Sequence, residues 1–218
     1  MVNRAANIDF NYLETLTLIR HSEKVLIMRI FLSIFILILI FSLQSWSWAD
    51  DIRDFEIEGM SIGDSALDYY SEEEILNNKV NWYKKDDFYA VVIEVNNSNY
   101  QAIQMHFKKN DKSFIIQSVG GMIFNYSDIK NCHKLKKSVE NEIINNFNLN
   151  RNNINRYERN HPIDPSGKST TSEAYINLDN GNIYLACFDL AKNIGPKNFR
   201  LVANTSEIND FYNQSIID

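Results

Sequence analysis

The sequence predicts an α+β fold in which an antiparallel sheet packs against one long amphipathic helix. Residues Gln101–Phe107 alternate between apolar and polar side chains, which is typical of a strand with one buried face. Asn180-Gly181 lies between two apolar runs and is the strongest hairpin signal in the chain. From Ile129 to Phe147 apolar residues recur three and four positions apart, as they do on the buried face of a helix.

The first half of the domain is predicted as a helix followed by three antiparallel strands. The helix extends over Asp64–Asn78, where apolar residues at helical spacing follow a glycine and an aspartate. The three strands are predicted over Phe88–Val95, Gln101–Phe107 and Phe114–Val119. Alternation in the second strand places Gln104 and His106 on its solvent face.

The second half is predicted as a long helix, three more strands and a terminal helix. Ser127 is the expected N-cap of the long helix. The apolar stripe of that helix consists of Ile129, Cys132, Leu135, Val139, Ile143 and Phe147. Residues 148–171 are polar and aperiodic, and they are predicted to form a mobile loop. The last elements are strands over Glu173–Leu178, Ile183–Leu190 and Phe199–Ala203, and a helix over Ser206–Ile217.

The predicted sheet therefore consists of two three-stranded meanders, and the two halves of the domain resemble each other. The long helix begins at the string Asn125-Tyr126-Ser127-Asp128-Ile129, and the terminal helix begins at Asn204-Thr205-Ser206-Glu207-Ile208. Two interpretations stay open. The strings reflect an internal duplication, or they are independent sequences that both suit a helix N-terminus.

An export signal is predicted at residues 28–49. Arg29 precedes the apolar run Ile30–Leu43, and the small residues Ser47 and Ala49 follow it, an order typical of a cleavable secretory signal. The run has 14 residues, fewer than the ~20 that a permanent membrane helix needs. Cleavage is therefore favoured over an uncleaved anchor.

The segments on either side of the signal are interpreted accordingly. Residues 1–27 are either an upstream start assigned in error or a cytoplasmic leader, and residues 50–218 are one periplasmic or secreted domain. Because disulfides persist outside the cytoplasm, Cys132 and Cys187 are predicted to pair, which would stabilise the fold by roughly 4 kcal/mol. Two buried reduced thiols are the alternative.

The charge of the exported part excludes one class of partner. The chain has 22 basic and 28 acidic residues, and without the four basic and three acidic residues before Asp50 the net charge is −7. Nucleic acid requires a basic surface, so it is not an expected partner. His106, His133 and His161 lack the close spacing of a metal site, so neither a metal nor a cofactor is predicted.

One string carries a possible catalytic signal. Gly63-Asp64-Ser65 resembles the first motif of the GDSL-type esterases, in which the serine is the nucleophile. The string Glu158–Pro162 partly matches the last motif of that family, and the resemblance would make His161 the base. A nucleophilic serine follows a buried strand, and Ile57–Ile62 does not have the pattern of one. A turn with a helix cap is therefore favoured, and a hydrolase that uses Ser65 and His161 is the alternative.

A cluster of lysines marks a candidate partner surface. Lys130, Lys134 and Lys137 lie in the amino-terminal half of the long helix, where cations oppose the helix dipole. Such an arrangement suits an anionic partner, and a solvated helix face is the alternative. Lys136 lies among them and can pair with Glu140 one turn on.

Three strings together resemble a family of small secreted proteins of unknown function from AT-rich marine alphaproteobacteria. They are Ile57–Ser65, Tyr69–Glu74 and Ser118–Ile123. The likeness covers most of the exported part and includes one cysteine in the central helix and one in a late strand. The sequence after Cys187 departs from the family pattern. The resemblance implies export and the cysteine pair, and it implies no mechanism.

The sequence thus favours an exported binding or envelope-interaction module whose partner is an envelope protein or a small ligand. The interpretation depends on the export signal, the α+β pattern and the incomplete catalytic motifs. A small serine hydrolase and a purely structural protein are the alternatives. A deep, partly apolar cleft of ligand size would count against the structural alternative.

Overall fold

The computed structural model describes residues 51–215 with the exception of residues 81, 84 and 97. The predicted signal at 28–49 and the leader at 1–27 lie outside the described residues. None of the helices in the described part of the chain has the length and hydropathy that a bilayer crossing requires.

The described residues form an eight-stranded antiparallel sheet, a two-stranded hairpin and three α-helices. The strands are β1 (Glu56–Ile57), β2 (Met60–Ser61), β3 (Lys79–Val80), β4 (Phe88–Glu94), β5 (Ala102–Lys108), β6 (Ser118–Phe124), β7 (Ile154–Asn160), β8 (Thr170–Leu178), β9 (Gly181–Asp189) and β10 (Asn198–Thr205). The helices are α1 (Glu72–Asn77), α2 (Ile129–Asn146) and α3 (Ser206–Ser215). The large sheet has the order β3-β4-β5-β6-β10-β9-β8-β7. The predicted α+β class with an antiparallel sheet is confirmed.

Each half of the chain contributes four consecutive strands to the sheet, followed by a helix. Strands β6 and β10, the last of each set, pair with each other at the centre, so the two sets form one sheet. The sequence pattern predicts three strands in each half and misses the edge strands β3 and β7. β3 has two residues, and β7 buries only Ile154, so neither shows apolar alternation. The shared order agrees with the duplication hypothesis, which stays a prediction.

The first predicted helix is shorter than expected. Only Glu72–Asn77 is α-helical, and a single 3-10 turn, Ala66–Asp68, precedes it. Two serines explain the break, because Ser65 and Ser71 each accept a hydrogen bond from a backbone N–H two or three residues on. The chain therefore starts a new helical turn at each of them.

Residues 148–171, predicted as a mobile loop, contain structure. A 3-10 turn at Arg151–Asn153 leads into β7, and a turn at residues 161–169 leads into β8. In that turn the Asp164 carboxylate accepts hydrogen bonds from the backbone N–H and the hydroxyl of both Ser166 and Ser169. These bonds lower the pKa of Asp164 to about 2. Local side-chain to backbone bonds of this kind leave no periodic signal in a sequence.

One face of the sheet, here called the helix face, carries α2 and the main core. Its members include Phe107, Ile183, Leu185 and Phe199, all essentially inaccessible to solvent. The apolar stripe of α2 packs against this core, and the helix begins after Asp128, one residue later than the expected cap. The predicted disulfide between Cys132 and Cys187 is confirmed and joins α2 to β9, with the two Cα atoms 5.9 Å apart.

The other face of the sheet, here called the open face, is covered only in part. α3 and the segment before β4 lie over one side of it, where Phe88, Ile208 and Phe211 form a second, small core. His106, predicted to be on a solvent face, lies under this cover with 0% of its surface exposed. The predicted alternation along β5 is correct, but α3, about 100 residues later in the chain, buries the face that was predicted to be exposed to solvent.

Candidate binding site

The open face of the sheet carries a groove of about 880 Å³. Residues of β5 and β7–β10 form its floor. Trp82 and Tyr83, from the segment before β4, form one wall together with Tyr212 of α3. This volume is in the range of sites that hold small molecules.

Strand alternation sets the chemistry of the groove floor. On β9 and β10 the even-numbered residues face the groove, while their odd-numbered neighbours belong to the main core. One row across β8, β9 and β10 consists of Tyr175, Tyr184 and Val202, and the next row consists of Asn177, Asn182 and Asn204. The floor therefore has a row of two tyrosines and a valine beside a row of three amides.

Arg200 is the central charge of the groove. It is partly buried on β10 beside Ala186 of β9, and its guanidinium carbon lies 4.9 Å from the centre of the Phe188 ring. Its Nε donates a hydrogen bond to Asn198 Oδ1 at 3.3 Å, and no described carboxylate forms an ion pair with it. Burial lowers the pKa of Arg200, but an arginine stays charged at physiological pH. The groove floor thus contains an uncompensated cation.

The tyrosines around Arg200 stay neutral. Burial raises the pKa of Tyr83 and of Tyr175 to about 12. Burial also raises the pKa of Tyr184 and of Tyr212 well above the ordinary value. No phenolate therefore balances the positive charge of Arg200 at neutral pH.

His106 lies beneath the wall of the groove among polar side chains. The Tyr83 hydroxyl oxygen is 2.7 Å from His106 Nε2, and the Tyr212 hydroxyl oxygen is 3.2 Å from the same atom. Burial, and then the charge of Arg200, lowers the pKa of His106 to about 3. The imidazole is neutral at physiological pH and adds no charge to the site.

A second arginine lies at the margin of the groove, and its charge is balanced. Arg159 forms an ion pair with Glu173, whose carboxylate also accepts a hydrogen bond from the Thr171 hydroxyl at 3.0 Å. The Tyr175 hydroxyl donates to the same carboxylate at 3.3 Å. This pair contributes no net charge, so Arg200 sets the charge of the groove.

Amide side chains supply most of the remaining polar groups. The floor and wall contain Asn155, Asn177, Asn182, Asn204, Asn209, Asn213 and Gln104. Asn204 accepts from the Ser118 hydroxyl at 2.8 Å and donates to Asn182 at 3.3 Å. The side-chain amides of Asn155, Asn177, Asn209 and Asn213 form no hydrogen bond with other described residues. Gln104 Oε1 is buried and has no hydrogen-bond partner among the described residues.

The structure does not bring the predicted catalytic residues together. Ser65 forms a bridge with Ile115 near the start of β6, and its hydroxyl donates to the Ser113 carbonyl oxygen at 2.7 Å. His161 follows the end of β7 and contacts the Phe188 ring, 5.6 Å between centres. Four strand spacings of about 4.8 Å, roughly 19 Å in total, separate β6 from β7. The hydrolase alternative receives no support from this geometry.

The predicted lysine surface lies on the opposite side of the sheet from the groove. Lys130, Lys134 and Lys137 are exposed on α2 and form no ion pair with a described residue. Lys136 instead points toward the sheet, where its amine donates to the Ser172 hydroxyl. Glu140, the predicted partner of Lys136, forms an ion pair with Arg156. His133, His106 and His161 lie apart, and no metal-binding cluster occurs among the described residues.

Sequence reasoning missed the residues that form the groove. Arg200 interrupts an apolar strand between Phe199 and Leu201, and a charge inside such a strand was a usable signal. Tyr175 and Tyr184 gave no such signal, because aromatic residues are common in strands. The position of α3 determines which part of the sheet face stays open. Local sequence pattern does not predict where α3 lies on the sheet.

Comparison with known proteins does not identify the chain. No protein family, no curated protein and no solved structure matches it.

Proposed function

We propose that this chain is an exported binding protein that holds a small organic monoanion in the groove on the open face. The observation that carries the proposal is Arg200, a partly buried cation on the groove floor without a carboxylate partner among the described residues. Buried charges in proteins are normally paired. A bound carboxylate would complete the pair with two hydrogen bonds to the planar guanidinium.

The remaining lining favours a molecule with an organic body rather than a bare ion. Tyr184 and Tyr175 lie side by side, 4.9 Å between ring centres, and form an apolar strip beside Arg200. Phe188 extends this strip on the other side of the cation. Aromatic side chains provide large contact areas at a small entropic cost.

Export is the second part of the proposal. The signal predicted at 28–49 suggests it, and the disulfide between Cys132 and Cys187 supports it because disulfides persist outside the cytoplasm. The exposed face with Lys130, Lys134 and Lys137 stays a candidate surface for an envelope partner.

We expect the protein to bind carboxylates more tightly than their amides. The probes are benzoate, phenylacetate, cyclohexanecarboxylate and D-glucuronate, each compared with its primary amide by NMR titration of the oxidised domain. Arg200→Gln should raise the Kd of the best carboxylate at least about 30-fold, because it removes one partner of a desolvated charge pair. Arg200→Lys should raise the Kd less, since it keeps the positive charge and loses only the planar pair of N–H donors.

Arg151→Gln is the matched control, because it removes an equal charge from an exposed position on the 3-10 turn before β7. It should leave the Kd unchanged. Equal affinity for the acids and their amides would contradict the proposal. An equal loss of affinity in Arg200→Gln and Arg151→Gln would also contradict it. Thermal melting of each variant separates lost binding from lost folding.

Export has its own test. The full chain is expressed in a bacterium, and the protein recovered from the periplasm is analysed by intact mass with thiol labelling. We expect a mass that begins at Asp50 and cysteines that label only after reduction. A mass that retains residues 28–49, or thiols that label at once without denaturant, would show that the protein is anchored or cytoplasmic.

A further inference from the structure

We infer that the monoanion is a sugar acid, a hydroxylated ring that bears one carboxylate; this inference rests on the proposed binding function. Three features of the groove carry it: its single uncompensated charge, its many amide side chains and the exposed aromatic rings on its two sides. Each feature limits the chemistry of the ligand in a different way.

The charge of the groove limits the ligand to one negative group. Arg159 is paired with Glu173, so Arg200 is the one cation of the lining that has no ion-pair partner among the described residues. His106 is neutral, and its ring is enclosed by Tyr83 and Tyr212. A phosphorylated ligand with two or more charges would lack partners here, because a buried charge needs one.

The amides indicate hydroxyl groups on the ligand. An asparagine side chain presents both donors and an acceptor, and a hydroxyl group does the same. A ligand without hydroxyls would desolvate Asn177 and Asn209 without replacing their hydrogen bonds, which is costly. Gln104 also lines the groove, and its buried Oε1 has no hydrogen-bond partner among the described residues.

The aromatic rings fit the flat faces of a sugar ring. Trp82 is 51% exposed on one side of the groove, and Tyr157 is 50% exposed on the other. Large apolar side chains at the edge of a polar groove are available for stacking against the C–H faces of a ring. A groove of about 880 Å³ also has room for more than one such ring.

The test compares four probes that differ in one feature each. D-Glucuronate has the ring, the hydroxyls and the carboxylate; D-glucose lacks the carboxylate, cyclohexanecarboxylate lacks the hydroxyls, and D-glucuronamide lacks the charge. We expect D-glucuronate to bind at least about tenfold more tightly than each of the others, since it alone satisfies both Arg200 and the amides. A trisaccharide with a single uronic acid residue tests the source, because tighter binding than the monosaccharide assigns the groove to a polysaccharide and equal binding assigns it to a free sugar acid.

Two amide variants show whether hydroxyls are recognised. Asn177→Ala and Asn209→Ala should each raise the Kd of D-glucuronate about fivefold and leave that of cyclohexanecarboxylate unchanged. Asn145→Ala, at an exposed position on α2, is the matched control and should change neither. If cyclohexanecarboxylate binds as tightly as D-glucuronate in an Arg200-dependent manner, the sugar-acid inference is wrong and the anion-binding function stands. If no carboxylate is preferred over its amide, both are wrong.

Discussion

Reduction of the bond between Cys132 and Cys187 is expected to lower the free energy of unfolding by about 4 kcal/mol. The two cysteines are 55 residues apart in sequence, and the crosslink restricts the unfolded chain over that whole loop. The loop contains most of α2 and all of β7 and β8, so the bond also holds the helix against the sheet. For a domain of this size, whose net stability is about 5–15 kcal/mol, such a loss is a large fraction.

The measurement is urea unfolding of the oxidised domain, the reduced domain and the double variant Cys132→Ala, Cys187→Ala. The reduced protein and the double variant should have similar midpoints, well below that of the oxidised protein. Reductant should leave the double variant unaffected, which makes it the control. A midpoint that barely changes on reduction would mean that the unfolded chain is already restricted without the bond.

Acidification is expected to destabilise the domain through His106. Its pKa is about 3 in the folded protein, below the value of 6.5 for an unperturbed histidine. Below pH 6.5 the unfolded chain therefore takes up a proton that the folded protein does not, and the folded state loses about 1.4 kcal/mol per pH unit. The stability that the neutral His106 contributes is fully present above pH 6.5 and is lost as the pH falls toward 3.

The groups that face His106 do not titrate in that interval. Tyr83 from the segment before β4 and Tyr212 of α3 stay neutral, and Arg200 of β10 stays positive. Urea unfolding at pH 7.5, 6, 5 and 4 of the wild type and of His106→Gln isolates the effect. Carboxylates such as Asp164 contribute equally to the pH dependence of both proteins, so their effect cancels when the two free energies of unfolding are subtracted. If the free energy of unfolding depends on pH in the same way in the two proteins, His106 is not a buried neutral imidazole.

Local pattern was sufficient for the parts of the fold that depend on neighbouring residues. The predicted hairpin is present, but its turn lies one residue earlier than expected: Asp179 and Asn180 form the turn, with a positive φ of 61° at Asn180, and Gly181 is the first residue of β9. The apolar stripe of α2 indicated the buried side of that helix and placed Cys132 there. Both predictions follow from geometry that is fixed within a few residues.

Long-range packing explains what the sequence did not reveal. β7 is polar on both faces because it is an edge strand, so its pattern was indistinguishable from that of a loop. The burial of His106 depends on Tyr212, 106 residues later in the chain. Arg200 lies on the side of β10 that faces the groove and not the main core, and this position depends on how distant elements pack.

The edges of the sheet have a consequence for the behaviour of the protein among other chains. An open sheet exposes unpaired backbone groups at its last strands, and these can recruit a strand from a neighbouring molecule. Here β3 offers only two residues, and β7 carries Arg156, Glu158 and Arg159 on its two sides. Charged side chains on both sides of an edge disfavour strand addition by another molecule. The two edges of the sheet therefore disfavour the recruitment of a strand from a second copy of the chain.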